Sequence, residues 1–289
     1  MTVQPQRNAI GGHVPVAGGL AANGIPYAEE IGAESVQVFT ANPRSWATSR
    51  GNPAQDEEFR RLCRRLDVPA YVHAPYLINF GSHNEETAER SVASLSHSLG
   101  RGREIGANGV VVHTGSATGG RTREAALDQV RALVLPLLDG LTHPEDPPLL
   151  LEPTAGQGFS LCSQVADLGP YFDALDHHPR LGVCLDTCHV FAAGHDLTVE
   201  GEATRMLDLL VETVGPGRLQ LVHANDSKAG AGSRLDRHEN IGAGHIGPAA
   251  FGELLAHPAT AGVPFVIETP GGKEGQAADV ALLKSLRKP

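Results

Sequence analysis

Six residues that can bind metal ions follow short apolar segments spaced along the chain. Each stands at the end of a predicted β-strand, and the set comprises His73, His113, Glu152, Asp186, His223 and Glu268. One histidine in such a place is usually structural, but three buried carboxylates need a compensating cation. Nitrogen and oxygen donors without a thiolate suit zinc or a similar divalent ion. Six donors exceed the four ligands of one tetrahedral ion, so the pattern predicts at least two metals.

Two further motifs extend this donor set. His189 follows Asp186 as D-x-x-H in the loop just beyond the strand, and Asp236-Arg237-His238 lies in the loop after the seventh predicted strand. Residues two apart in an extended segment face the same side, so Asp236 and His238 can hold one ion together. With His189 they predict another site of two nitrogens and one oxygen, open to a substrate oxygen. Without the other donors, the D-x-H pair would be a chance pairing in a polar loop.

Eight apolar segments predict the strands that position these donors. They are Ile10–Pro15, Ser35–Thr40, Ala70–Pro75, Val110–Thr114, Leu149–Pro153, Leu181–Asp186, Leu219–Ala224 and Phe265–Thr269. Amphipathic segments between them predict helices at Glu57–Leu66, Glu86–Ile105, Arg123–Leu138 and Glu202–Val214. Strands that alternate with helices predict parallel pairing through right-handed crossovers.

Eight such units predict an α/β fold, a closed (β/α)8 TIM barrel. We expect a single domain over residues 1–289, with short flexible ends at about residues 1–8 and 286–289. A doubly wound open sheet is disfavoured, because Gly11-Gly12-His13 and Gly18-Gly19 do not match its glycine-rich phosphate turn. Since the C-terminal ends of barrel strands converge on one face, the scattered donors are expected to meet in one site.

Composition limits the other interpretations. The four cysteines, Cys63, Cys162, Cys184 and Cys188, form no CxxC pair and are predicted to be dispersed buried thiols rather than a zinc site. No apolar run approaches the roughly 18 residues of a membrane helix and no signal peptide is visible, so the predicted location is cytoplasmic. The net charge of −10 argues against a nucleic-acid partner, but charge distribution matters more than the sum.

Five longer motifs resemble bacterial endonuclease IV, also called deoxyribonuclease IV or AP endonuclease family 2. The resemblance spans nearly the whole predicted barrel, and its motifs are HAPYLIN from His73, EPTAGQG from Glu152, GVCLDTCH from Gly182, HANDSK from His223 and DRHENIG from Asp236. It implies a TIM barrel of the xylose-isomerase-like superfamily. It also implies a DNA-repair enzyme of base excision repair.

The resemblance implies three Zn²⁺ ions per chain, with Mn²⁺ as an alternative occupant of one site. The first zinc would be held by His73, His113 and Glu152. The second would share Glu152 as a bridge and add Asp186, His223 and Glu268. The third would be held by His189, Asp236 and His238.

The implied reaction is hydrolysis of the phosphodiester bond 5′ to an abasic site in double-stranded DNA, giving a 3′-hydroxyl and a 5′ abasic sugar phosphate. A hydroxide that bridges the first two zincs would attack the phosphorus, and the third zinc would stabilise the leaving 3′ oxygen. The catalytic residues would be Glu152, Asp186 and Glu268. The chain would act as a monomer, without a nucleotide cofactor or a membrane.

The same resemblance implies DNA-binding residues. Arg44, Tyr76 and Leu77 would wedge into the helix so that the abasic nucleotide flips out, and phosphate contacts would come from Lys228, Arg234 and Arg237. Otherwise Tyr76 and Leu77 would be core residues of the third βα loop. Three departures from the family pattern, which affect DNA geometry but no ligand, are Ser45, Pro153 and Thr114.

Two other functions fit part of the pattern. A sugar isomerase or epimerase of the xylose-isomerase-like group would use Glu152, Asp186, His223 and Glu268. Such proteins generally lack the D-R-H element and the extra histidines, and one exchangeable divalent ion would be typical of them. A non-catalytic DNA-binding protein would bind an abasic duplex without nicking it.

Overall fold

Parallel β-strands form a closed barrel in the computed structural model, which describes residues 7–287. Within these residues the strands are β1 (Ile10–His13), β2 (Val36–Val38), β3 (Ala70–His73), β4 (Gly109–His113), β5 (Leu149–Glu152), β6 (Leu181–Asp186), β7 (Leu219–His223), β8 (Asp226–Ser227), β9 (His238–Glu239) and β10 (Phe265–Ile267). The barrel order is β1-β10-β7-β6-β5-β4-β3-β2, so neighbouring barrel strands are also consecutive along the chain. The predicted TIM barrel is confirmed.

Helices connect the strands and cover the outside of the barrel. The α-helices of the described residues are α1 (Ile25–Glu30), α2 (Pro53–Leu66), α3 (Glu85–Ile105), α4 (Arg123–Asp139), α5 (Leu168–Ala174), α6 (Thr187–Ala193), α7 (Glu202–Val214), α8 (Pro248–Ala256) and α9 (Gly272–Leu286). A π-helical segment spans Leu20–Gly24, and 3-10 segments span Val165–Asp167 and Pro258–Thr260. Among residues 7–287, no helix has the length and apolar character needed to cross a bilayer.

Local sequence explains where the long helices begin and end. Asn52, Asn84 and Thr122 cap the first turns of α2, α3 and α4 by accepting hydrogen bonds from backbone N–H groups. Helix α3 ends at Gly106, whose φ of 71° is readily adopted only by glycine. These signals hold each helix between two strands and leave the polar loops at the C-terminal side of the barrel.

The first strand is held very close to its neighbour. A Cβ atom at Gly11 would lie 1.7 Å from the Ser35 carbonyl oxygen, so only glycine fits there. The pair Gly12–Val36 and the pair His13–Gln37 continue the parallel register of β1 and β2. This close pairing closes the barrel and places the ends of the first two strands beside the other strand ends.

The chain ends meet on the closing side of the barrel. Buried Asn8 donates to the carbonyl of Val263 over 2.9 Å, and Arg287 forms an ion pair with Glu34 at 2.7 Å. Of the ends predicted to be flexible, residues 1–6 and 288–289 lie outside the described residues. The remaining residues of these predicted ends are described. Arg7 and Asn8 precede β1, Leu286 is the last residue of α9, and Arg287 follows it.

A small apolar cluster fills the barrel, separate from the larger core between strands and helices. Its members are Tyr71, Val111, Leu150, Cys184, Leu221 and Val266, one from each of six consecutive barrel strands. All four cysteines are buried and free, as predicted. Since side chains alternate between the two faces of a strand, the residue two places after each cluster member also points into the barrel.

Candidate metal centre

The strand-end donors occupy the next inward-facing positions above the barrel cluster. Each stands two residues after a cluster member: His73 after Tyr71, His113 after Val111, Glu152 after Leu150, Asp186 after Cys184, His223 after Leu221 and Glu268 after Val266. All six therefore converge at the C-terminal end of the barrel, because of the two-residue period of the strands. The expected convergence is observed.

A first donor cluster surrounds the Glu152 carboxylate. Its Oε2 atom lies 3.3 Å from His73 Nε2 and 3.4 Å from His113 Nε2. The other ring nitrogen of His73, Nδ1, contacts the Ala74 carbonyl at 2.6 Å, so the inward Nε2 is left free to coordinate. Glu152 is fully buried at the end of β5.

A second cluster joins the carboxylates through His223. Its Nδ1 atom lies 3.1 Å from Glu152 Oε1, 3.5 Å from Glu268 Oε2 and 3.9 Å from Asp186 Oδ2. The Asn225 side chain donates to Asp186 Oδ2 over 2.7 Å and accepts from the Glu268 backbone N–H over 2.7 Å. Asn225 therefore ties the ends of β6 and β10 together.

The residues of the third cluster come from a helix and from the segment at a β-hairpin. His189 Nε2 lies 3.3 Å from Asp236 Oδ2, and His238 Nε2 lies 3.1 Å from Asp236 Oδ1. His189 stands in the first turn of α6, rather than in a loop as predicted, because Asp186 caps this helix by accepting from the His189 N–H. His238 belongs to β9, which pairs with β8 in a hairpin that the sequence did not predict. Asp236 and His238 do face the same ion position, as expected.

Buried carboxylates fix the segment that carries the third cluster. Asp226 Oδ1 accepts from the Ile246 N–H at 2.8 Å, and Oδ2 accepts from the Gly242 and Gly247 N–H groups at 2.8 and 3.2 Å. Asp279 of α9 accepts from the Ile241 N–H at 2.9 Å. These hydrogen bonds fix the loop between β9 and α8.

The donor geometry fits zinc. Two ligand atoms about 2.05 Å from a tetrahedral zinc ion lie roughly 3.3 Å apart. The nitrogen–oxygen distances of the first and third clusters, 3.1 to 3.4 Å, agree with this spacing. Glu152 Oε2 and His238 Nε2 are buried and have no hydrogen-bond partner. Such orphaned atoms are costly without a cation, so the residues fit the metal ions that the donor set implies.

In the donor clusters, carboxylates that favour negative charge lie next to imidazole rings that favour positive charge. Burial opposes the charge on Glu152, yet His223, His113 and His189 together outweigh it and lower the pKa of this carboxyl well below its usual range. Burial likewise opposes protonation of His238, yet Asp186, Asp236 and Glu268 together outweigh it and raise the pKa of His238 to about 9. Protons on the histidine rings thus supply positive charge beside the carboxylates, which bound metal ions would otherwise supply.

One residue of this site, Gln37, was not predicted. It pairs in register with His13, which ends β1 and was expected from the sequence to be a structural or phosphate-side residue rather than a ligand. Gln37 is fully buried. The Gln37 side chain contacts Glu268 Oε1 at 2.7 Å, His13 Nδ1 at 3.0 Å and His223 Nε2 at 2.8 Å. The six donors were predicted as metal-binding residues at the ends of predicted strands, and Gln37 lies inside the predicted strand Ser35–Thr40. The alternation of side chains along a strand is the signal that could have found it.

A cavity of about 290 Å³ opens above the donors. Its lining combines residues of the first and third clusters with Tyr76, Thr154 and Gln157. The Tyr76 ring stacks on His113 with ring centres 5.6 Å apart. The volume lies at the lower end of small-molecule sites, about 300 Å³. It suits one sugar-phosphate unit, while a duplex would have to remain outside.

Several exposed side chains stand on the loops at the C-terminal end of the barrel, where this cavity opens. Tyr76 is 44% exposed and Leu77 36% exposed, which excludes the alternative of core residues. Arg44, Lys228, Arg234 and Arg237 are also exposed, although Lys228 lies 3.5 Å from Glu239. Phe159, which the sequence analysis did not select, is 77% exposed on the loop after β5. We call Arg44, Tyr76, Leu77 and Phe159 the rim residues.

Hydrogen bonds between loops hold the rim residues in place. The Tyr76 N–H donates to the Pro43 carbonyl beside Arg44 over 3.0 Å. Asn79 accepts from the Ser116 N–H over 3.0 Å, and the Ala117 N–H donates to the Phe159 carbonyl over 2.9 Å. The loops after β2, β3, β4 and β5 therefore form a connected wall along one side of the cavity.

The closed barrel and its metal-capable strand ends define a class of proteins, the xylose isomerase-like TIM barrels. The family model with this description matches residues 25–286. A relative from Streptomyces coelicolor named "Probable endonuclease 4" is 71% identical over 281 residues, covering 97% of this chain and 96% of the relative.

Solved structures of other proteins have the same barrel fold. Endonuclease IV from Thermus thermophilus superposes with a TM-score of 0.83 at 34% identity, covering 96% of this chain and 98% of that one. A D-tagatose 3-epimerase-like protein reaches a TM-score of 0.72 at 19% identity, covering 96% of each chain, which shows a common fold alone. The chain therefore belongs to the endonuclease IV family of DNA-repair nucleases, which confirms the resemblance stated from its motifs.

Proposed function

We propose that this protein hydrolyses the phosphodiester bond on the 5′ side of abasic sites in double-stranded DNA, leaving a 3′-hydroxyl and a 5′ abasic sugar phosphate. The chain is a hydrolase of the deoxyribonuclease IV type that acts in DNA repair. The single observation that carries the proposal is the gathering of nine His, Asp and Glu side chains at the C-terminal barrel end, where the ligand-atom spacings of the first and third clusters suit zinc.

Three zinc ions would be held by these nine residues. His73, His113 and Glu152 form the first group, which has the closest match to tetrahedral spacing. Glu152, with its two carboxylate oxygens facing different histidines, would bridge to a second ion. The ligands proposed for that second ion are Glu152, Asp186, His223 and Glu268, and those for the third are His189, Asp236 and His238.

Zinc ions bound there would activate water at neutral pH and neutralise the charge that develops on the phosphate oxygens. The chain's own residues would orient the substrate and support this chemistry. Glu152 and Asp186, both fully buried, bring fixed negative charge to the floor of the cavity. Glu268 is held by Gln37 on one carboxylate oxygen and directs the other towards His223. These three carboxylates are the proposed catalytic residues.

The cavity and its rim indicate how a duplex would be engaged. A space of about 290 Å³ can admit the abasic sugar and its phosphate once they leave the helix. Flipping is easiest where no base has to be unstacked, so a small cavity favours abasic sites over intact nucleotides. Arg44, Tyr76 and Leu77 would enter the gap in the helix, and Lys228 and Arg237 would contact phosphates.

An assay of metal content together with nicking tests this proposal. The zinc-loaded chain should contain about three zinc ions and should nick a duplex that carries one synthetic abasic site, while leaving the matched intact duplex uncut. Binding without nicking at full zinc content would overturn the catalytic claim. One exchangeable divalent ion per chain would instead favour a sugar isomerase, although the third donor cluster argues against that function.

A further inference from the structure

Gln37 lies at the centre of three contacts that meet at the second donor cluster. Its Oε1 atom lies 2.8 Å from His223 Nε2, and its Nε2 atom lies 2.7 Å from Glu268 Oε1 and 3.0 Å from His13 Nδ1. The side chain is fully buried, at the middle residue of β2. All three neighbours end other barrel strands or, for Glu268, directly follow one. None of the nine proposed ligands comes from β2.

The identity of each partner fixes the orientation of this amide. An ionised carboxylate can only accept hydrogen bonds, so the Gln37 NH₂ group must face Glu268. The amide oxygen must then face His223, and an oxygen can only accept, so His223 must carry a proton on Nε2. The opposite orientation would set the amide oxygen against the Glu268 carboxylate, with no proton between two acceptors.

The consequence for His223 concerns its other ring nitrogen. When Nε2 carries the proton of a neutral ring, Nδ1 holds a free lone pair. Nδ1 is the atom that faces Glu152 Oε1 at 3.1 Å and Glu268 Oε2 at 3.5 Å. The amide therefore selects the tautomer in which His223 can bind a metal among these carboxylates.

His223 differs from three other histidines of the site in how it is oriented. Nδ1 of His73, His189 and His238 lies near a backbone carbonyl, at 2.6 Å from Ala74, 3.0 Å from Pro153 and 3.4 Å from Glu268 respectively. These contacts survive side-chain substitution of the acceptor residue. The Nε2 contact of His223 goes to a side chain, so a single substitution at position 37 removes it.

Resting on the proposed function, we propose that Gln37 is a positioning residue of the second zinc site. Its amide sets the tautomer of His223 and holds Glu268 towards the same point, so that one group orients two ligands from the neighbouring strands β7 and β10. Groups that orient metal ligands typically contribute about 10- to 100-fold to metal affinity. The contribution should be confined to the site that contains His223.

Zinc competition with a chelator tests the positioning role directly. Gln37→Met keeps the length of the side chain and removes both its donor and its acceptor. This variant should still take up the parent number of zinc ions at saturation, but one of them should bind about 10- to 100-fold more weakly. The matched control is Gln129→Met in α4, where the amide donates to the Phe80 and Ser82 carbonyls away from the donors. The control should keep the parent affinities.

A measurement on the unsubstituted chain covers the case in which Gln37→Met fails to fold. Nitrogen-15 spectra of the zinc-loaded parent, labelled at histidine, should give His223 a protonated Nε2 and a metal-bound Nδ1. A proton on Nδ1, or a folded Gln37→Met chain with all zinc affinities within twofold of the parent, would overturn the positioning role alone. A parent chain that binds no zinc would overturn the proposed function as well.

Discussion

The metal centre and the rim residues lie on the same end of the barrel but are built differently. The nine donors are mostly buried, and six of them are set by the two-residue period of the strands. The rim residues are exposed on loops, and backbone hydrogen bonds between loops hold them, together with the packing of the Tyr76 ring on His113. The centre is therefore fixed mainly by the barrel strands, whereas the rim depends on contacts between loops. Substitutions at the centre should therefore lower the rate of nicking, and substitutions at the rim should lower the affinity for DNA.

The largest effect is expected at the centre, from Glu152→Gln. The change keeps the shape of the side chain but removes the charge shared by the first two donor clusters. Nicking should fall by about 10³-fold or more, on the order of 4 kcal/mol of transition-state stabilisation. Steady-state nicking of the abasic duplex and circular dichroism would measure activity and folding.

Glu145→Gln provides the matched control for this change. Glu145 is 46% exposed in the loop that leads into β5, at the opposite end of the barrel. The control should keep parent activity. If a folded Glu152→Gln chain nicked at a rate near that of the parent, the bridging role of Glu152 would be wrong.

Zinc binding should depend steeply on pH. Asp186, Asp236 and Glu268 together raise the pKa of His238 to about 9, against the effect of burial. The pKa values of His189 and His223 are also raised against burial, chiefly by Asp186 for His189 and by Cys184 and Glu268 for His223. His238 is therefore protonated at pH 7 before a metal binds, and zinc must displace its proton. Affinity should rise with pH towards about 9, the pKa of His238, and fall as the solution is acidified.

The size of this effect is about tenfold in zinc affinity per pH unit for each proton displaced. Calorimetric titration of zinc in buffers with different ionisation enthalpies would count the protons released. Exposed His83, outside the donor clusters, provides a control through His83→Ala, which should leave the count unchanged. A release of no protons at pH 7 would contradict the charge pattern assigned to the centre.

The same contrast explains which parts were predictable from sequence. Strands such as Leu149–Glu152 were recognised because an apolar run ends in a polar residue, and a period of two then fixes which side chains point inward. The β8–β9 hairpin was missed, since each strand has two residues and their pairing depends on contacts far apart in sequence. Phe159 was missed because an exposed loop residue follows no period.

The loop between β9 and α8 should be sensitive to Asp226→Ala. This carboxylate accepts from the backbone of Gly242, Ile246 and Gly247, and the substitution leaves these donors without partners. The free energy of unfolding should fall by about 3 kcal/mol. Urea denaturation would measure it, with the exposed Asp173→Ala as a control that changes stability by less than about 0.5 kcal/mol. Equal stability of the two variants would mean that the segment is held by other contacts.

A smaller effect is expected at the rim, from Tyr76→Ala. The ring is 44% exposed and packs edge-on against His73 as well as stacking on His113. Loss of one stacking side chain should weaken binding to abasic duplex by about tenfold, or roughly 1.4 kcal/mol. Fluorescence anisotropy would measure the affinity, and thermal unfolding would measure stability. Tyr76→Phe keeps the ring and should bind as the parent does. Unchanged affinity and cleavage in Tyr76→Ala would remove Tyr76 from the DNA contact surface.

The smallest effect is expected from Phe159→Ala. Phe159 is 77% exposed, so its removal should change the free energy of unfolding by less than about 0.5 kcal/mol. Its backbone carbonyl accepts from the Ala117 N–H, and Phe159 lies two residues after Gln157, which lines the cavity. A contact at the edge of the bound duplex should contribute about a threefold difference in affinity, less than a central one. Leu66→Ala is the control, since Leu66 is 39% exposed at the end of α2, on the far side of the barrel. The Leu66→Ala control should bind abasic duplex as tightly as the parent. If Phe159→Ala also does so, Phe159 does not contact DNA, and the DNA contact surface does not extend to the loop after β5.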